Sequence, residues 1–278
     1  MTFRTKLLVV SSLTVAGAVA LVTGAVSISS RRAFERVADE RRKGVRAQFD
    51  REMESRGRDV EDRVQRAAAA DAVLRIAIAA NRPQPDYSAF LDEARAQADA
   101  QALDFLDILE QDGAIIASAH APARFGFRND WLVSPEDSSG GRWFLTRIPI
   151  TDGSAVAVAA VRPVSAGDKS ILVVGARRLD ASFLASLGVA PGVRALLWLA
   201  SGEFMDEKGP VADSQKLIGL VGRVEQTRRE AAGTVQWTSD RASSESIVAL
   251  PLEHRGNLLG ALLVSTSLRE QVWLEESI

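Results

Sequence analysis

Side chains equipped for chemistry are few in this sequence, and most of them fall between positions 104 and 147. Arg124, Arg128, Trp131, Arg142, Trp143 and Arg147 lie in an irregular, aromatic-rich stretch and the strand that follows it. A guanidinium grips an anion with two parallel hydrogen bonds, and an indole can wall the pocket around it. The two histidines are His120, at a strand end, and His254, in a turn. Neither has metal-ligand or nucleophile spacing, and both read as ordinary turn residues. Asp104 and Asp107 lie within one strand, where one of the two is expected to face solvent.

Other chemistry is missing from the sequence. There is no Gly-x-Ser-x-Gly elbow, no Walker loop, no His-Glu-x-x-His, and no Ser, His and Asp set that spacing can group. Cysteine is absent, which excludes disulfides, thiolate catalysis and thiolate metal sites. No catalytic residue, metal or cofactor is expected. The chain is 46% hydrophobic and 25% charged with a net charge of −2, so it lacks the basic excess that nucleic acid requires.

The elements that must position these residues begin with an uncharged run over 7–30. At about 1.5 Å per residue, a helix of about 24 residues is long enough to cross a hydrocarbon core of about 30 Å. It reads as a transmembrane helix; the rival is a cleaved leader starting at Arg4 and Lys6 with Ala18-Val19-Ala20 as its site. That site would leave a further apolar run, and the whole stretch exceeds a leader's usual core of about 7 to 15 residues. The flanking charges alone, with Arg31, Arg32, Arg36, Arg41 and Arg42 on the far side, point the N-terminus outward.

Over 31–80 apolar residues recur at steps of mostly three, four and seven, from Phe34 and Val37 through Val45, Phe49, Met53, Val60, Val64, Ala67 and Ala70 to Leu74 and Ile78. This spacing predicts one helix of about 50 residues with a narrow apolar stripe, suited either to covering half a core or to pairing with a second copy. Pro83 and Pro85 end it. A return helix follows, capped by Ser88, with Phe90, Leu91, Ala94, Ala98 and Ala102 on one face.

From 103 the period drops to two. Apolar runs flank Asp112-Gly113, a hairpin signal. After the irregular stretch 119–141, strands are expected over 142–150, 154–164 and 170–176, with a short helix over 180–187. Strands over 193–199, 234–238, 246–251 and 258–267, and a helix from Asp213 or Ser214 to near Gly233, repeat the programme. The fold class is therefore α+β: one transmembrane helix, a long N-terminal helix, then two tandem antiparallel sheets with helices.

Taken together, LDFLDILEQDGAIIASAH, KSILVVGARRLDASFLASLG and the texture from SSRRAFERV onward resemble the extracytoplasmic sensor region of bacterial two-component sensor histidine kinases. The architecture is similar to the double Cache family, with PAS-like units, and to NtrY-like kinases. The resemblance implies a cytoplasmic N-terminus over 1–6, a span over 7–30, a long helix and its return over 31–103, a membrane-distal unit over 104–190, a membrane-proximal unit over 191–270, and over 271–278 the start of an outgoing helix whose membrane span is missing. It places the bulk of the chain outside the bacterial inner membrane.

The narrow stripe of the long helix suits a homodimer, and the resemblance implies a small-molecule ligand, anionic if the arginines bind it, held in the first unit by Arg124, Arg128, Trp131, Arg142, Trp143 and Arg147. The Arg142-Trp143-Phe144 run departs from the family's amino-acid-binding pattern, so that specificity does not carry over. The phosphoacceptor helix and nucleotide boxes of the kinase are absent, so a response regulator is reached only through a missing kinase half. A non-binding membrane-anchored scaffold, or the input half of a chemoreceptor or diguanylate cyclase, shares the outer architecture. A polar-lined cavity in the first unit would favour sensing; a filled one would favour scaffolding.

Overall fold

The computed structural model describes residues 40, 43–82, 84–131, 142–151 and 153–269. Two antiparallel sheets share one N-terminal helix. The helix α1 spans 43–68, and α2, Asp71–Ala80, follows after a break at Ala70, whose ψ of 140° is extended. The expected single helix is thus two. The break resets the phase: Val45, Phe49, Met53, Val60, Val64 and Ala67 are buried, but beyond it Val73, Ile76, Ala77 and Ala80 face inward, while Leu74 and Ile78 are 44% and 52% exposed.

The return segment starts as a single 3-10 turn at Ser88–Phe90 and becomes helix α3 only at Glu93–Gln101, so Ser88 does not cap it. Ala94 and Ala98 pack inward and Leu91 stays partly exposed. Asn81, past the end of α2, accepts from Lys169 N at 3.0 Å and donates to Ala166 O, which pins α2 to a strand turn in the first sheet.

The first sheet comprises β1 (Phe105–Glu110), β2 (Ile115–Ser118), β3 (Phe144–Ile150), β4 (Gly153–Ala166) and β5 (Lys169–Arg178), in the order β2-β1-β5-β4-β3. Helix α4, Ala181–Ser186, is capped by the Asp180 carboxylate on Phe183 N. The second sheet comprises β6 (Val193–Leu199), β7 (Phe204–Asp206), β8 (Gly209–Pro210), β9 (Ala231–Gln236), β10 (Ser244–His254) and β11 (Asn257–Ser267), in the order β8-β7-β6-β11-β10-β9, with α5, Ile218–Thr227, against it. Helix α5 stops at Thr227 because Arg228 turns left-handed, and β9 therefore begins earlier than the pattern over 234–238 suggests.

Strand alternation gives the first sheet two apolar faces. Leu106, Ile108, Val158 and Val173 join α1, α2 and α3 in the largest core, which continues into Leu197, Leu250 and Leu262 of the second sheet. Phe105, Leu109, Ile148 and Val174 form a separate core on the opposite face. Along α1, Val64 packs at Gly175 of β5 and Gly57 receives the Trp143 indole, while Phe49 meets Phe183 of α4 edge-on at 5.7 Å. The apolar stripe of α1 packs within the chain from Val45 to Ala67.

One expectation is corrected. The fold class is α+β with two antiparallel sheets and helices, but among the described residues no helix is long and apolar enough to cross a membrane. The longest of them, α1, carries charged residues on its solvent side and a single apolar stripe, a pattern made for a protein core and not for lipid. The run over 7–30, on which the transmembrane expectation rested, lies outside the described residues, as do 1–6 and 270–278.

Candidate functional site

A carboxylate stands in the middle of the apolar outer face of the first sheet. Asp107 falls between Phe105 and Leu109 on β1, so alternation points it into the same core as those two, and it is 1% exposed. Burying a carboxylate is costly unless partners are supplied. Two arrive from the segment 119–131, which folds back as a strap along the outer edge of β2. The strap is held by Gly126 N to Ile115 O at 2.8 Å, Ile115 N to Phe127 O at 2.9 Å and Asn129 N to Gly113 O at 2.9 Å.

From the strap, Asn129 Nδ2 donates to Asp107 Oδ2 at 2.6 Å and Trp131 Nε1 donates to the same oxygen at 2.8 Å. The other oxygen, Oδ1, is buried with no hydrogen-bond partner among the described residues and faces His120 Nδ1 at 3.5 Å. Ser118, opposite Asp107 in the β1–β2 register, places its Oγ 3.4 Å from the same His120 nitrogen. The His120 ring sits edge-on to Phe105 at 5.2 Å and to Trp131 at 6.5 Å. Burial pushes the Asp107 carboxyl up from its ordinary value, against the neighbouring His120 and Ser118 side chains and the Trp131 and Asn129 hydrogen bonds, which pull it down.

This grouping of Ser, His and Asp is not a nucleophilic triad. A triad sets the hydroxyl on one ring nitrogen and the acid on the other; here both approach Nδ1. The arrangement offers a buried carboxylate with one oxygen that accepts no hydrogen bond among the described residues, an imidazole facing that oxygen, and a strap anchored by both donors to the other.

The six residues singled out from sequence fall in three places. Arg124, Arg128 and Trp131 are on the strap. Arg124 closes it on itself, with Nη1 on Asp130 Oδ1 at 2.9 Å and Nη2 on Arg128 O, while Arg128 donates to Asp112 O in the β1–β2 turn. Trp131 is 1% exposed and fills the face beside Asp107. Arg142 and Trp143 lie against α1 instead: Arg142 pairs with Glu54 at 2.8 Å and is 76% exposed, and Trp143 N donates to Glu61. Arg147 points toward the second sheet and donates to Leu258 O at 3.1 Å.

Asp107 and His120 are the residues that sequence reasoning passed over. Their signal was present. In Leu103-Asp-Phe-Leu-Asp-Ile-Leu109 the positions flanking Asp107 are apolar on both faces, so an acid there has no route to solvent. His120 follows two residues after Ser118, the cross-strand partner of Asp107.

No protein-family model matches the chain, and no curated protein matches it in sequence. Among solved structures it is similar to an extracellular ligand binding receptor from Desulfohalobium retbaense, with 13% identity and a TM-score of 0.47; the match covers 80% of this chain and 39% of that one. The sensor domain of the Vibrio cholerae histidine kinase DctB gives 11% identity and a TM-score of 0.45, covering 80% of this chain and 95% of that one. The Vibrio cholerae LuxQ periplasmic domain gives 11% and 0.47, covering 82% and 97%. All three are extracellular, periplasmic or sensor regions by description.

Proposed function

We propose that this chain is the extracytoplasmic input region of a sensor histidine kinase, NtrY-like in texture, and that its first sheet detects a small polar molecule through Asp107. The observation that carries this reading is the buried Asp107 carboxylate, whose Oδ1 accepts no hydrogen bond among the described residues and faces His120 at 3.5 Å, beneath a strap that supplies both donors to Oδ2. Trp131 fills the face beside Asp107, which by itself favours a scaffold; the buried carboxylate weighs the other way, because a well-packed apolar residue in its place is commonly neutral or stabilising. The centre favours ligands that donate hydrogen bonds, hydroxyls and amines, to the Asp107 oxygen that faces His120. Trp131 occupies much of the face, so binding requires the strap to shift, and that displacement is the output passed on toward the kinase.

The test is a thermal-melt screen of the full chain against amines, amino acids, sugars and small carboxylates. At least one compound is expected to stabilise the protein saturably. Asn129→Ala, which removes one strap donor without touching charge, is expected to move its half-saturating concentration by about tenfold, the worth of one hydrogen bond to a charged group. A panel with no stabilising compound, or a midpoint indifferent to Asn129, overturns the reading.

A further inference from the structure

The two sheets leave a cleft of about 460 Å³ between them, within the size range of small-molecule sites. One wall is β3 with the end of the strap, giving Asp130, Leu145 and Arg147; the other is the β10–β11 hairpin with the residue after α5, giving Arg228, Asn257 and Leu258. The charges in it do not balance locally. Asp130 is neutralised by Arg124 at 2.9 Å, and Arg228 lies 3.8 Å from Glu253. Arg147 is half-buried, and among the described residues no carboxylate pairs with it. Its one described partner is the Leu258 carbonyl at 3.1 Å, which engages a single donor and cancels no charge. A guanidinium has five N–H donors in a planar fork matched to two oxygens of an oxyanion.

We propose that this cleft is a second binding site, for a small oxyanion carrying a carboxylate or a phosphate, gripped by the free edge of Arg147. The site goes beyond the Asp107 reading and does not depend on it. It would also be wired to it. Thr146, next to Arg147 in β3, donates its hydroxyl to Trp131 O at 2.7 Å, and Asp130 sits between the two strap residues that hold Asp107. An anion drawing Arg147 off Leu258 moves the β3 segment on which the strap is hung.

The experiment is isothermal titration of the full chain with succinate and, separately, inorganic phosphate, against sodium chloride at matched ionic strength. Saturable binding of either probe is expected, and which probe binds distinguishes carboxylate from phosphate. Arg147→Met should abolish that binding and Arg147→Lys should weaken it by about tenfold, because an ammonium lacks the planar fork. Asn257→Asp, an exposed position where no folding penalty is expected, introduces a carboxylate into the cleft and should also abolish it. The proposal is overturned if neither probe binds beyond the chloride control, or if Arg147→Met or Asn257→Asp binds as the unmodified chain does.

Discussion

Replacing Asp107 by asparagine should leave the fold standing while removing a pH dependence, and the geometry says why. Both strap donors converge on Oδ2, at 2.6 and 2.8 Å, whereas Oδ1 faces the His120 nitrogen and the Ser118 hydroxyl. An asparagine carbonyl at the Oδ2 position accepts both donors, and its amide NH2 falls beside the His120 ring and the Ser118 strand end. The expected cost is within about 1 kcal/mol. Asp107→Ala instead strands two buried donors at about 1–3 kcal/mol each, roughly 2–6 kcal/mol together. Because burial raises the Asp107 pKa in the folded state above its unfolded value, the folded chain holds a proton that the unfolded chain has released. The associated stability is complete below the ordinary carboxylate range and is lost as pH rises toward the raised folded value, at a slope of up to about 1.4 kcal/mol per pH unit. Urea unfolding followed by tryptophan fluorescence, from about pH 4 to about pH 8, should show the unmodified chain losing stability relative to Asp107→Asn as pH rises. Repeating the series in a His120→Gln background removes the imidazole that faces Oδ1 and opposes the upward shift, and should widen the difference. Parallel curves for the two chains, or an asparagine variant as damaged as the alanine one, would refute the reasoning.

Two further stability predictions concern packing and are read by the same urea unfolding. Gly57→Ala puts a new carbon 2.2 Å from the Trp143 indole, so it should cost about 1–3 kcal/mol in spite of alanine's helix preference of about 1 kcal/mol; in a Trp143→Ala background the same change should become stabilising. Leu74→Gln is expected to change stability by no more than about 0.5 kcal/mol, whereas Ile76→Ala, two residues on and fully buried, should cost about 2–5 kcal/mol. Equal effects at the two positions would mean that α2 is rotated from the orientation described.

Local signals carried much of the fold. The period of two around Asp112-Gly113 marks the β1–β2 hairpin, where Gly113 takes a φ of 89°, and the apolar strands β4, β5, β6 and β11 are legible as runs. The break at Ala70 was not, since four alanines in succession keep the helical pattern without revealing that the backbone turns there. The short strands β7 and β8 are too brief for any period to register. Site residues divided along the same line. That Arg142 pairs with Glu54, or Arg147 with Leu258 O, depends on segments 88 and 111 residues apart meeting in space, which no local spacing encodes. Asp107 was legible in principle from its apolar flanks, but the strap that completes its site comes from a segment with no periodicity at all.

The shared helix sets a limit on how such a protein can be taken apart or recombined. Because one face of α1 seals the inner core of both sheets, neither sheet can be cut out as a self-sufficient module: a chimera that borrows the first sheet from a protein of the same fold must bring the matching half of the helix with it. The natural unit of exchange is therefore the helix with both sheets, and new specificity would arise by change within the strap or the cleft more readily than by swapping a sheet.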